Sequence, residues 1–319
     1  MLSFLIVMFL QGILPGFVTN TIVDIGFMWV VFFVWSAISV LILLPFTYIF
    51  KSSDLLSYIM AVMLLVNLTF IIVGFVNFKN VKIKEYNLKI DGADLTNKQE
   101  MKILAVSDLH IGYSINKIYV ERYVKLINNL HPDLILISGD IADRSIKPIK
   151  EQGIDLVLKN LESKYGVYSV VGNHESYGGD KNAIIEYLES SGIRILKDEY
   201  VTIDNKVTII GRDDRSNSER ENLDVILSKV DPKLPKILLD HQPYHLSEVE
   251  GKVDLQLSGH THLGQFWPVT SIVKRMYELP YGYLKKGKTH FIVSSGLGLW
   301  GPKVRLGSNS EIVIVNLTY

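Results

Sequence analysis

Leu255 to Pro268 reads LQLSGHTHLGQFWP. An apolar run stops at Ser258-Gly259, and two histidines follow with one residue between them. Residues two apart in an extended chain point to the same side, so His260 and His262 are expected to aim at one place from the end of a strand. Other apolar runs finish in the same way. Asp108 and His110 come after ILAV, Asp140 after LILISG, Asn173 and His174 after YSVVG, and His241 after KILLD.

Between these runs lie stretches of helical spacing, such as YVERYVKLINNL (119–130) and IIEYLESSGI (184–193). From Met101 to Tyr319 the chain therefore alternates strand and helix, which predicts an α/β domain. In an α/β sheet the carboxyl ends of the strands open into the crevice where ligands bind. Strand ends converging there gather two carboxylates, an amide and four imidazoles, with His174 beside them. A metal centre makes such a cluster tolerable to bury. One ion cannot use all seven side chains, but two ions sharing Asp140 can. Asp108, His110, Asp140 and His262 would hold one, and Asp140, Asn173, His241 and His260 the other. Gly139 is expected to let the backbone turn closely beneath the shared carboxylate. Paired ions of this kind clamp both oxygens of a phosphoryl displacement.

The ordered set DLH, GD, GNHE, H, GHTH resembles the five-block signature of the calcineurin-like metallophosphoesterases, over about residues 102–319. GRDD (211–214), GHTHLGQ (259–265) and GLWGPKVRLGSNSEI are similar to its bacterial subgroup with an N-terminal membrane segment. The resemblance implies a four-layer α/β/β/α sandwich, two divalent ions and phosphoester hydrolysis. Leu263 stands where many members have glycine. The resemblance also implies that His174 stabilises the transition state or protonates the leaving oxygen. Asp143 either orients His174 or a ligand histidine, or caps the next helix. Mn, Fe and Zn all suit the mixed donor set. Among the remaining candidates, His131 and His290 are expected to be structural. His245 is read as structural or as a substrate contact, and Arg212 and Asp213 as a loop ion pair or the rim of the site.

The chain has 319 residues, 33 basic and 33 acidic side chains, and no cysteine. Thiolate metal sites, disulfides and a cysteine nucleophile are excluded. The charge balance argues against a nucleic-acid partner. A mean hydropathy of +0.23 comes from the first 80 residues. Ile25–Phe50 and Leu55–Phe78 carry no charge, and each exceeds the roughly 20 residues that cross a bilayer as a helix. Residues 2–18 are expected to be a marginal third span or a re-entrant segment, without the basic start or cleavage site of a signal peptide. The expected organisation is a transmembrane region (1–80), a linker (81–100) and a metallophosphoesterase domain (101–319).

Lys79, Lys82, Lys84 and Lys89 follow the last span, while the loop between the two clear spans offers only Lys51. The basic bias predicts a multi-pass membrane protein with a cytoplasmic catalytic domain. QFWPVTSIVKRMYELPYGYLKKGK (265–288) mixes aromatic and basic residues, which suits the headgroup level of a bilayer. It reads as a lid that delivers a lipid-borne phosphoester, or as a cover for the domain's own core. A non-enzymatic scaffold on the same fold is the competing function. Scaffolds of that kind lose ligands, above all the histidine of the GNH block, and here every position is filled.

Overall fold

The structure is a computed structural model that describes residues 16–49, 53–90, 99–177 and 179–319. The chain forms two compact units. In the first, helices α1 (Gly16–Ile49) and α2 (Ser53–Lys79) pack on each other, joined by residues 301–306. The marginal span at 2–18 lies outside the described residues as far as position 15, and its last residues open α1.

Both helices are apolar on every face, with windows of mean hydropathy 2.5 and 2.7 of which only 17% and 11% is buried. A core helix would be buried on all sides, so these are long and apolar enough to cross a membrane without being core helices. Their contact contains a polar latch. Asn67, 4% exposed, reaches Ser39 Oγ at 3.2 Å and Ser36 Oγ at 3.4 Å, a kind of bond that favours one helix register in an apolar medium. Residues 301–306 dock on the pair. Arg305 N donates to Gly74 O at 2.9 Å, Asn77 Nδ2 donates to Arg305 O at 3.1 Å, and Lys303 Nζ meets Asp24 Oδ2 at 2.7 Å.

The second unit holds two six-stranded sheets. Its strands are β1 (Lys82–Lys89), β2 (Glu100–Val106), β3 (Leu134–Ile137), β4 (Val167–Ser169), β5 (Ile193–Ile195), β6 (Glu199–Ile203), β7 (Val207–Gly211), β8 (Lys236–Leu239), β9 (Leu255–Ser258), β10 (Gly282–Lys286), β11 (Thr289–Val293) and β12 (Glu311–Thr318). One sheet runs β1-β12-β2-β3-β4-β5 and the other β10-β11-β9-β8-β7-β6. Around them lie α3 (Lys117–Asn128), α4 (Lys147–Glu151), α5 (Ile154–Leu158), α6 (Asn173–Tyr177), α7 (Lys181–Ser190), α8 (Leu223–Leu227) and α9 (Val269–Met276).

The inner faces of the sheets meet in one core. Ile103 and Ala105 of β2 and Leu134 and Leu136 of β3 join Ile237 and Leu239 of β8 and Leu255 and Leu257 of β9. Alternate residues face outward. Ile210, Leu238 and Val293 pack with Leu223 and Ile226 of α8, while α3 buries Val120, Tyr123, Val124 and Ile127 at helical spacing. The expected α/β sandwich is therefore the observed architecture. The central strands are buried on both faces, which explains why β3 reads LILI with no polar residue, and why Gln256 and Ser258 of β9 (LQLS) bond each other at 3.0 Å.

The expected linker at 81–100 needs correction. Lys82–Lys89 is a strand, paired in parallel with β12 from Lys82↔Glu311 to Lys89↔Thr318. Its charged sequence KIKEYNLK suits a sheet edge, where outward side chains meet water. Leu88 and Ile90 still enter the core. Residues 91–98 lie outside the described residues.

Candidate metal centre

Strands β2, β3, β8 and β9 run side by side within their sheets and each stops just before a candidate ligand. The chain does not continue extended through those ligands. Asp108, His110, Asp140, His260 and His262 all have positive φ, between 47° and 71°. Left-handed backbone costs a non-glycine residue roughly 1–2 kcal/mol and concentrates at functional sites. His260 and His262 are therefore not aimed by strand alternation, as the opening motif suggested. Two separate left-handed turns send them to different neighbours.

His262 Nε2 lies 3.0 Å from His110 Nε2 and 3.5 Å from Asp108 Oδ1, so Asp108, His110 and His262 form one group. Asp140, His241 and His260 form another, with Asp140 Oδ2 at 3.1 Å from His241 Nε2. Asn173 Oδ1 belongs to this second group, at 3.1 Å from His241 Nε2 and 2.8 Å from His260 Nδ1. Asp140 Oδ2 is also 3.7 Å from His110 Nε2, which places the carboxylate between the groups. All seven side chains expected from the sequence are thus brought together.

The donor set fits cations. Two facing imidazole nitrogens at 3.0 Å can share one proton, whereas a divalent ion satisfies both lone pairs. Burial, reinforced by the neighbouring imidazoles, pushes the His110 pKa down to about 3, which keeps the ring neutral as a ligand must be. Burial and the charge on His241 likewise bring His260 down to about 4. His241 Nδ1 donates to Ser138 O at 2.7 Å, which fixes its tautomer and turns Nε2 toward Asp140. Gly139 has φ +83°, and a Cβ there would stand 2.8 Å from His241 Nδ1. Gly172 is tighter still, since a Cβ would meet Asp140 Oδ1 at 2.1 Å.

His174 is the second residue of α6 and lies beside the first group, its ring centroid 4.4 Å from that of His110. Its Nδ1 is 2.9 Å from Asp143 Oδ1. Burial works to strip the ring of its proton, but the bond to Asp143 and the charge of Asp140 override it and raise the pKa. Asp143 thus faces His174, while the next helix has Ile146 at its N-cap with no side-chain cap bond.

Two residues carry a part in the site that sequence reasoning left unassigned. Glu175 is 1% exposed and accepts backbone N–H bonds from Asp140 (3.1 Å), Ala142 (2.8 Å) and Gly172 (2.7 Å). It holds the loop that presents Asp140. Its place in GNHE was visible, but a lone glutamate beside a motif does not declare its partners. Arg144, exposed next to Asp143, lies over the rings of Tyr177 (5.9 Å) and Trp300 (5.8 Å), and Trp300 stands 6.0 Å from His174.

The secondary candidates separate cleanly. His290 Nδ1 bonds Tyr283 OH at 2.8 Å inside β11, and His131 sits with φ 48° in the turn before β3. Asp213 meets Lys181 at 2.8 Å and Asn217 at 2.7 Å, a loop-building role. Arg212 and His245 line a cavity that contains none of the seven candidate ligands. The segment 265–288 divides. Leu279 enters the core, Tyr281 bonds Glu311 at 2.8 Å and Lys286 meets Glu278 at 2.7 Å, while Trp267, Ile272 and Met276 are half or more exposed.

The family model for calcineurin-like phosphoesterases matches residues 101–264. A metallophosphoesterase of Helicobacter pylori is 36% identical over 243 residues, covering 74% of this chain and 64% of its own length. One from Aquifex aeolicus is 34% identical over 246 residues, covering 74% of this chain and 92% of its own. A transmembrane protein with metallophosphoesterase domain from Bos taurus is 30% identical over 231 residues, covering 66% of this chain and 52% of its own. The chain thus spans just under two thirds of the Helicobacter relative. The strand-end ligand blocks, the two-sheet fold and these matches place the chain in the calcineurin-like phosphoesterase family.

Proposed function

We propose that this protein is a membrane-anchored phosphoesterase that uses two divalent ions to hydrolyse a lipid-borne phosphoester or diphosphate headgroup, with its catalytic domain on the cytoplasmic side. The observation that carries the hydrolytic part is the convergence of six further oxygen and nitrogen donor side chains around Asp140. Asp108, His110, Asp140 and His262 would hold one ion, and Asp140, Asn173, His241 and His260 the other. Mn, Fe or Zn suits this set. Bound there, the ions supply charge neutralisation at the phosphoryl oxygens and activation of the attacking water. His174 gives its proton to the leaving oxygen, and Asp143 holds the ring in register through Nδ1. Arg144 offers a guanidinium for a phosphoryl oxygen, and Trp300 walls the His174 side against water.

Helix α9 supports the lipid part. Thr270 is its one buried residue, while Val269, Ile272 and Met276 share an exposed apolar face and Lys274 and Arg275 close its last turn. An amphipathic helix with its apolar face in water is at home in a bilayer interface. The basic cluster at Lys79, Lys82, Lys84 and Lys89 supports the cytoplasmic side.

The test uses the full chain in detergent, screened for phosphate release with each metal. Asp140→Ala should lose metal and turnover together. The full chain reconstituted in anionic vesicles should hydrolyse vesicle-borne lipid phosphate. The double variant Ile272→Ser, Met276→Ser should lose that activity about tenfold while sparing 4-nitrophenyl phosphate. Equal turnover of lipid phosphate by the variant would remove the lipid assignment and keep a soluble phosphoester.

A further inference from the structure

A cavity of about 560 Å³ is lined by Arg212, Arg215 and Arg220 together with Asp240 and Tyr244. Asp240 directly precedes His241, and the Tyr244 ring centroid stands 6.3 Å from that of His260. Tyr277 backs Tyr244, with ring centroids 4.9 Å from Tyr244 and 6.2 Å from His260 and the two phenol oxygens bonded at 2.9 Å. A phosphoester seated at the ions therefore has the Tyr244–Tyr277 pair beside it, with the Arg215 guanidinium on the far side of the Tyr244 ring.

Basic and acidic side chains balance around the whole lining, but their pairing is uneven. Arg220 donates to Asp240, Arg212 Nε faces Asp198 at 3.5 Å, and Lys252 meets Asp224 at 2.7 Å. Arg215 makes neither an ion pair nor a hydrogen bond among the described residues. Its guanidinium lies over the Tyr244 ring at 5.0 Å. Inside the cavity, Nε of both Arg212 and Arg220 is buried without a hydrogen-bond acceptor. Burial and the charge of Arg220 both pull the Arg212 pKa below its ordinary value, as expected where guanidinium groups crowd one another. The Arg215 charge reaches Asp240, but no acceptor is bonded to it, and a planar cation held on an aromatic face without a bonded acceptor is preorganised for bidentate binding of phosphate. One tyrosine ring separates this cation from His260. That separation suits an anion joined to the scissile group through a spacer of about one sugar ring, and not the next phosphate of a diphosphate.

We propose that this cavity is a second anion subsite of the active site, selecting substrates that carry another phosphate across a sugar-sized spacer from the scissile phosphoester. This deepens the hydrolytic reading above and rests on it for the identity of the scissile group. Arg215 supplies the specificity, and Tyr244 holds it in place.

The test compares glucose 1,6-bisphosphate with glucose 1-phosphate on the metal-loaded full chain in detergent. Binding is read by calorimetry and turnover separately by phosphate release. The bisphosphate is expected to bind at least about tenfold tighter, a difference of about 1.4 kcal/mol. Arg215→Ala should erase that margin while changing the affinity for glucose 1-phosphate by less than about twofold. Equal affinity for the two sugars in the unaltered protein, or an equal loss on both in the variant, would overturn the subsite. If the margin is present but neither sugar nor 4-nitrophenyl phosphate releases phosphate, the subsite stands and the hydrolytic reading falls.

Discussion

Replacing Asp143 with Asn separates a proton-transfer dyad from a metal ligand. Asp143 Oδ1 lies 2.9 Å from His174 Nδ1, and the same carboxylate groups with His110 and His174 closely enough to hold an ion. In the proposed role it keeps His174 protonated against burial. A hydrogen bond to a charged partner contributes about 1.5–3 kcal/mol. The Asp143 side chain is 32% exposed, so solvent screening puts the value at the lower end, about 1.5–2 kcal/mol. That corresponds to a loss of roughly ten- to thirtyfold in rate wherever the protonated ring is needed. The sign follows from the raised pKa. Without the carboxylate, His174 gives up its proton at lower pH, so the alkaline limb of kcat moves down and the acid side is little changed.

The assay is a pH–rate profile on two leaving groups. A 4-nitrophenolate leaves with little help, whereas an alkoxide needs the proton. Asp143→Asn should therefore depress the alkyl phosphate far more than the nitrophenyl one, with both metals retained. Loss of an ion from the variant, or an equal fall on both substrates at every pH, would refute the dyad and make Asp143 a ligand.

Gly172→Ala forces a Cβ to 2.1 Å from Asp140 Oδ1, so the variant should lose metal stoichiometry and turnover together, as measured by elemental analysis and phosphate release. Glu175→Gln keeps the shape but turns an N–H toward backbone donors that need an acceptor, at a cost of about 2 kcal/mol. Its melting temperature should fall by about 4–8 °C; an unchanged melting curve would show that the loop holds itself. Protease added to intact cells should leave the catalytic domain uncut, and cleavage with the membrane sealed would reverse the orientation.

The strand ends were readable in advance because parallel strands impose one rule on many residues. Each buried run must be apolar on both faces, so the first polar side chain after it stands out, and topology carries those positions to one edge. The paths of the ligands beyond the strands were not readable. Alternation would have put His260 and His262 on one side by extension, but positive φ at both sends them to separate groups, and Asp and His, though enriched in such turns, adopt them too rarely to mark them in a sequence. β1 was hidden for a different reason. KIKEYNLK lies at an edge, where its charges face water, and its pairing with β12 spans most of the chain. Local pattern cannot register a partner that distant. Segment 265–288 mixes buried Leu279 with exposed Trp267, Ile272 and Met276 within a short stretch, which no single pattern expresses.

The same crowding that gathers the ligands links metal affinity to protons. In the metal-free protein burial works to remove the His241 proton, yet the Asp140 carboxylate, with Asp108 behind it, overrides burial and holds the pKa well above the ordinary imidazole value. Burial also opposes the Asp140 charge, but His241 and His110 outweigh it and the carboxyl stays ionised below its usual range. The signs are opposite. The stabilisation from the raised His241 is fully present below the unfolded imidazole value and is lost as pH rises through the folded one. That from the lowered Asp140 is present above the unfolded carboxyl value and is lost as pH falls through the folded one. At neutral pH, His241 therefore carries a proton, and an ion binding at Asp140, His241 and His260 must expel it. Affinity at that site should then rise about tenfold for each pH unit across the neutral range. Titration calorimetry in buffers of differing ionisation enthalpy at constant pH should register about one proton released with this ion. An enthalpy that does not depend on the buffer would mean that His241 is already neutral, and that the Asp140 charge is balanced by some other group in the metal-free protein.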